Sequence, residues 1–216
     1  MPRSLVLYTN NEVLARLKER LTRTYEQDPV KPYTLSFAQP SEGDSRRVRI
    51  TELLAYSLSA IIDDLVGSGQ ALPVSTADKD VRGASYQDLF EGADPFQRTA
   101  VLQFSSPTII SLGGYRVAFP VLPLMLSHYV HAWNAFAGFQ IARVPHLLEH
   151  LKMADFKISC VQTEHGPGCQ GWIALELAKG SPEEEIRTFN ALVDFAFYCG
   201  TGQHTDEGLG QTDRKR

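Results

Sequence analysis

The chain has 216 residues, 43% of them hydrophobic and 21% charged, with a formal net charge of −4. That is enough apolar material for one large domain or two small ones, and it excludes a disordered or collagen-like chain. The negative total also excludes capture of an anionic polymer by bulk charge, so any nucleic-acid site must be a local patch. The most apolar stretch, Val117 to Leu126, is short and holds Pro120 and Pro123, which rules it out as a membrane span. Cys160, Cys169 and Cys199 lack metal-type spacing. An odd cysteine count without a secretory signal points to a reducing, cytoplasmic setting.

Taken in chain order, Ser4 to Tyr8 reads as a strand. Asn10 or Asn11 can cap a helix whose apolar stripe is Val13, Leu14, Leu17, Leu21 and Tyr25, with Arg16, Lys18, Arg20 and Arg23 on the opposite face. From Met1 to Arg49 nine Lys/Arg outnumber six acids, which fits a local basic patch or, equally, a solvated helix face of mixed charge. Tyr33 to Phe37 and Arg46 to Ile50 read as strands, and Thr51 to Val66 as a second helix. Strand, helix, strand, strand, helix is the split β-α-β order. Gly67 to Pro95 is rich in Gly, Asp, Ser and Ala and forms the boundary region, with one further short strand.

The order then repeats. Thr99 to Phe104 is a strand, with Tyr115 to Phe119 extending or pairing with it. Leu124 to Phe136 and Val144 to Met153 are helices. Phe156 to Thr163 and Gly171 to Leu177 are strands around a hairpin at Glu164 to Gly168. Ser181-Pro182-Glu183-Glu184 starts a helix, with Ser as cap and Pro first, and Gly200 stops it. The expectation is an α+β protein of two tandem ferredoxin-like (RRM-like, split β-α-β) domains, 1–95 and 96–216.

After that helix comes Gly200-Thr-Gly-Gln-His-Thr-Asp-Glu-Gly-Leu-Gly210, with four glycines in eleven residues. Glycines let a backbone present its N–H groups to an anion at close range, and Thr201, Gln203, His204 and Thr205 add polar groups for phosphate or base edges. Glycine-rich turns also simply end helices. His146-Leu-Leu-Glu149-His150 matches the H-x-x-E-H zinc pattern, but such sites need a third acidic ligand well downstream, beyond the ordered elements this chain has to spare, and Pro145 makes His146 a helix-start residue. His128 and His131 lie among core-type residues, Asp63-Asp64 reads as a solvated helix end, and Arg214-Lys-Arg216 as a basic tail.

The second half resembles the CRISPR-associated repeat-processing endoribonucleases, the Cas six group of the RAMP superfamily. The resemblance is carried by Phe104-Ser-Ser-Pro-Thr108, by Pro120 and Pro123 before a helix with Trp133-Asn134, and by Gly168-Cys-Gln-Gly-Trp172. The helix Phe189 to Tyr198 running into the glycine pattern at 200, 202, 208 and 210 completes it. The first half matches more thinly, at Met1-Pro-Arg-Ser-Leu-Val6 and Lys31-Pro-Tyr-Thr-Leu-Ser36.

The resemblance implies binding of CRISPR repeat RNA and cleavage at the base of its stem. It further implies retention of the crRNA in a Cascade-type effector. It maps RNA contacts onto Gly200, Thr201, Gly202, Gln203, Thr205, Gly208 and Gly210, and scissile-strand placement onto the hairpin at His165. Such cleavage needs no metal or other cofactor, because the substrate's own 2′-OH attacks the adjacent phosphorus while side chains move protons and offset charge. The sequence departs from the family pattern in having no His between Asn10 and Glu26. His204 is then the imidazole best placed for proton transfer. Lys18 and Tyr25 are the companions on the first helix, where Arg16, Arg20 and Arg23 can grip phosphate. The competing expectation is a non-catalytic subunit that binds the RNA handle.

Overall fold

The computed structural model describes residues 1–9, 11–37, 39–40, 46–54, 60–61, 82–142 and 144–215. The first sheet is built from β1 (Arg3–Thr9), β2 (Tyr33–Leu35), β3 (Gln39–Pro40), β4 (Arg46–Glu52) and β5 (Arg82–Gly83). Its order is β2-β4-β1-β5, with β3 also on β4, and all its pairings are antiparallel. Helix α1 (Asn11–Thr24) covers it. Leu14, Leu17 and Leu21 recur at helical spacing and are buried with Leu5, Leu7, Val48 and Ile50.

The second sheet is built from β6 (Thr99–Thr108), β9 (Leu151–Thr163), β10 (Gly166–Leu177) and β11 (Thr212–Lys215), in the order β11-β6-β10-β9. Both sheets therefore place their first and next-to-last strands at the centre, β1 with β4 and β6 with β10, which is the ferredoxin-like arrangement expected from the element order. Helices α3 (Leu122–Phe136), α4 (Val144–His150) and α5 (Glu183–Cys199) cover one face. Trp133, Tyr129, Phe189, Phe195 and Leu192 fill the space between. The aromatic residues of α5 that lie at helical spacing are thus largely core. No described helix is long and apolar enough to cross a membrane.

Several local expectations are corrected. Thr51 and Glu52 continue β4 instead of opening a helix, because each has a strand partner in β1 and β2. Residues 53–54 form a bend and 60–61 are helical, while 55–59 and 62–66, including Asp63 and Asp64, lie outside the described residues. A helix absent from the sequence reading, α2 (Tyr86–Glu91), opens on a capping box. The Ser85 hydroxyl accepts from the Asp88 N–H at 2.9 Å, and Asp88 accepts from the Ser85 N–H at 3.1 Å. Tyr86 and Leu53 both join the core of the second sheet.

Tyr115 to Val117 (β8) pairs with β7 (Ile110–Leu112) as a separate ribbon and does not extend β6. Ser181 does not cap α5; its hydroxyl turns back to the Ala178 carbonyl at 3.0 Å and Pro182 stands at the cap. Arg214 and Lys215 of the expected basic tail belong to strand β11, and Arg216 lies outside the described residues. Arg214 is tied to Asp194 at 3.1 Å and Asn190 at 2.6 Å on α5. Cys160 and Cys169 stand opposite each other across β9 and β10 as free thiols.

Candidate nucleic-acid interface

The glycine-rich loop runs from the end of α5 to β11, and its two ends are interior structure. Gly200 donates its N–H to the Ala196 carbonyl at 3.0 Å, and the Thr201 N–H closes the loop's neck on the Gly210 carbonyl at 2.8 Å. The Thr201 side chain is fully buried; its hydroxyl lies 2.6 Å from the Tyr129 hydroxyl and 2.7 Å from that of Thr212. Gln203 donates to Ile109 O at 3.0 Å, and Gly210 to Pro107 O at 2.9 Å. These glycines serve close packing. A Cβ on Gly202 (φ 84°) would sit 2.2 Å from the Ile109 carbonyl oxygen, and one on Gly210 (φ 67°) 2.1 Å from that of Thr201.

The expectation that Gly200, Thr201, Gly208 and Gly210 face RNA is corrected accordingly. All four are buried, and the N–H groups of Gly200, Thr201 and Gly210 are spent inside the protein.

The loop also bolts the two domains together. Leu35 of β2 donates to the Thr205 carbonyl at 2.8 Å, the Gln211 side chain donates to Leu35 O at 2.8 Å, and Thr34 reaches the Tyr198 carbonyl at 3.3 Å. Arg49 of β4 donates to Asp213 at 3.1 Å and lies 4.6 Å over the Phe197 ring. Beside this seam a groove of about 220 Å³ is lined by Phe37, Arg47, Arg49, Ser105 and Gln211, among others.

Only the loop's tip stays at the surface, and there the titratable groups collect. Gln203 is exposed; Gly202, His204 and Thr205 are half-buried. His204 adopts a left-handed backbone (φ 58°), which costs energy for a residue with a Cβ and is secured by Glu207 and Leu209 donating to its carbonyl at 3.0 and 3.2 Å. Its Nδ1 lies 2.8 Å from Glu207 Oε1. His165, delivered by the two-residue turn between β9 and β10, stacks on His204 with ring centroids 3.8 Å apart and 16° between planes. Its Nε2 lies 3.0 Å from the other Glu207 oxygen, off the ring's N–H direction. Burial alone would raise the Glu207 carboxyl, but the His204 hydrogen bond and the two imidazoles outweigh it and hold the group below its ordinary range.

The first domain meets this cluster through Tyr25 and Tyr33, whose rings are 5.7 Å apart. Burial, then the nearby Asp206 carboxylate and further the Glu207 one, push the Tyr33 hydroxyl up to about 12, while a hydrogen bond from Thr22 opposes them. Lys18 stands one turn before Thr22 on α1, half-buried and without an ion pair among the described residues. Lys31 ties the end of α1 by donating to the Tyr25 and Glu26 carbonyls. Arg116 of the β7–β8 ribbon crosses the hairpin turn, in the space that a side chain on Gly166 would fill.

The structure therefore brings together His165 and His204, and through Tyr33 it brings Tyr25 to the same seam. Arg16 and Arg23 are exposed and engaged locally, with Glu12 at 2.5 Å and Glu19 at 2.6 Å, and Arg20 is exposed on the same helix. Sequence reasoning missed Glu207, Tyr33 and Arg116. The i, i+3 spacing of His204 and Glu207 inside a turn was the available signal for the first.

Among the described residues His165, His204 and Glu207 are the one group with metal-ligand proximity, all their donor atoms lying within 4.8 Å. The face-to-face stacking of the rings does not aim both nitrogens at one point, so the arrangement suits proton handling better. The H-x-x-E-H reading loses its geometry: His150 pairs with Glu185 at 2.8 Å, and His146 is 4.0 Å from Glu149. His128 lies against the end of α5, where burial lowers its pKa against the opposing Cys199 and Gly200 carbonyls.

Two ferredoxin-like units joined through a glycine-rich loop, with imidazoles and basic residues at their seam, define a tandem-domain protein equipped to hold an anionic chain. The family model for the CRISPR-associated endoribonuclease Cas6 matches residues 102–212, and the chain belongs to that family of RNA-binding, repeat-processing proteins. The fold is similar to that of Cas6 (TTHA0078), solved as a product complex, at 21% identity over the whole of both chains with a TM-score of 0.80. It is also similar to Cas6 (TTHB231) from Thermus thermophilus, at 22% identity over the whole of both chains and a TM-score of 0.76 in the product complex. A Cas6-related protein from Pyrococcus furiosus shares the fold at 11% identity, a TM-score of 0.54 and coverage of 100% of this chain and 98% of its own. No curated protein sequence matches the chain.

Proposed function

We propose that the protein cleaves precursor guide RNA at the repeat by metal-independent attack of the substrate's 2′-OH, and holds the product for an effector complex. The observation that carries this reading is the His204–Glu207–His165 cluster, which Tyr25 and Tyr33 of the first domain approach. The 2′-oxygen bonds to phosphorus as the bond to the 5′-oxygen breaks, leaving a 2′,3′-cyclic phosphate and a 5′-OH. In its protonated form His204 donates Nδ1–H to Glu207 and delivers its Nε2 proton to the leaving 5′-oxygen, while the 2′-OH proton passes to water. Lys18 and Arg116 offer cations for the phosphorane, and exposed Gln203 and Thr205 offer contacts to the strand. Tyr33 stays protonated at neutral pH, so it cannot serve as the base. The division 1–95 and 96–216 is kept as the unit of folding.

A second reading, a non-catalytic subunit that binds the RNA handle, is favoured by one observation: α1 carries no histidine. Labelled repeat RNA incubated with excess protein in EDTA separates the two. The proposal expects cutting that survives chelation and yields a cyclic phosphate end. Tight binding without cutting would establish the second reading, and loss of cutting in EDTA would overturn metal independence.

A further inference from the structure

Among the described residues, the second sheet has helices on one face only. Along β10, Ile173, Leu175 and Leu177 point into the core, while Trp172, Ala174 and Glu176 occupy the other face. Trp172 stands opposite Lys157 on β9 and opposite Gln103 on β6, and Gln103 in turn faces Asp213 on β11. One row thus crosses four strands. Lys215 Nζ lies 5.9 Å from the Trp172 ring centroid, so this π-face already attracts a cation. The position lies roughly 20 Å along β10 from the hairpin turn that carries His165, at about 3.3 Å per residue.

The charges on this face are not balanced evenly. Asp213 is engaged by Arg49 at 3.1 Å and by the Ser105 hydroxyl at 2.7 Å, and Glu176 by Lys152 at 3.1 Å. Lys157 and Lys215 are exposed and form no ion pair among the described residues. Asp155, on the same strand as Lys157, is the acid left without a cation; its Oδ1 accepts from the Phe156 N–H at 2.8 Å. The outcome is a half-buried indole beside two exposed lysines. That combination recognises a splayed base with its flanking phosphates, and a paired stem cannot offer one because its bases are already stacked.

We propose that this face is a second RNA-binding surface, taking an unpaired nucleotide with its base on Trp172 and its phosphates on Lys157 and Lys215. It goes beyond the cleavage reading and does not depend on it. The chain has two tryptophans, and Trp133 is fully buried in the core, so Trp172 is the one that can report on solvent-side contacts.

The test is titration with a short single-stranded oligouridylate that cannot form a hairpin, read by tryptophan emission. Saturable quenching that weakens with salt is expected. W172A should abolish the quench and weaken oligonucleotide binding by about tenfold or more, and W172F should keep most of the affinity. K157A or K215A should each lower the slope of log affinity against log salt by about 0.7. Cleavage of a minimal stem-loop should be unchanged in W172A, so this inference and the cleavage reading fail separately. Unchanged emission, or equal affinity in W172A and K157A, would overturn the proposal and leave the face to a protein partner.

Discussion

The neck and the tip of the Gly200–Gly210 loop share eleven residues and do opposite work. The neck is dry: Thr201 is fully buried between two hydroxyls, and Gly210 packs against backbone. The tip is wet and titratable, with His204 and His165 stacked and sharing one carboxylate. The glycines therefore build a rigid arm, and its few surface residues carry the chemistry. Removing the imidazole at the tip should cost activity and leave stability intact. Changes at the neck should cost stability first.

The largest expected effect is at the tip. His204→Ala should slow single-turnover cleavage by about 100- to 10,000-fold, with RNA affinity and melting temperature little changed. A parallel fall in melting temperature would make His204 structural instead. Gly202→Ala should do the reverse. A left-handed backbone and a carbonyl contact at 2.2 Å should cost about 2–3 kcal/mol, read as a melting temperature lower by roughly 5–10 °C.

Thr201→Val leaves the Tyr129 and Thr212 hydroxyls without their shared partner and should cost about 1–3 kcal/mol in denaturant unfolding. The smallest effect is a pH dependence at the tip. The folded-state carboxyl of Glu207 is depressed, so it contributes stability above the ordinary carboxylate range and loses it as pH falls through the depressed value. Glu207→Gln should flatten the acid limb of the stability curve slightly, because the group is half exposed. An unchanged limb would mean that the imidazoles do not hold it.

The tandem fold was legible because both domains write the same element order in apolar periodicity and turn residues; α1 and α5 follow from leucine and aromatic spacing alone. The capping box at Ser85 was hidden in a stretch dominated by Gly, Asp and Ser. The true start of β9 was hidden because Leu151 to Met153 fits either period. The site was legible in parts. His204 and His165 stand out as polar residues in turns, but their stacking depends on two loops meeting in space. The interior role of Thr201 was beyond reach, since a threonine among glycines looks like a surface residue until its hydroxyl partners, Tyr129 on α3 and Thr212 on β11, are brought beside it.

The account's central claim is that His204 protonates the leaving 5′-oxygen. The direct measurement is single-turnover cleavage of a repeat RNA whose scissile 5′-oxygen is replaced by sulfur, a leaving group that needs no proton. If His204 is the acid, His204→Ala should cut this substrate at close to the wild-type rate while remaining defective on ordinary RNA. An equal defect on both substrates would contradict the assignment.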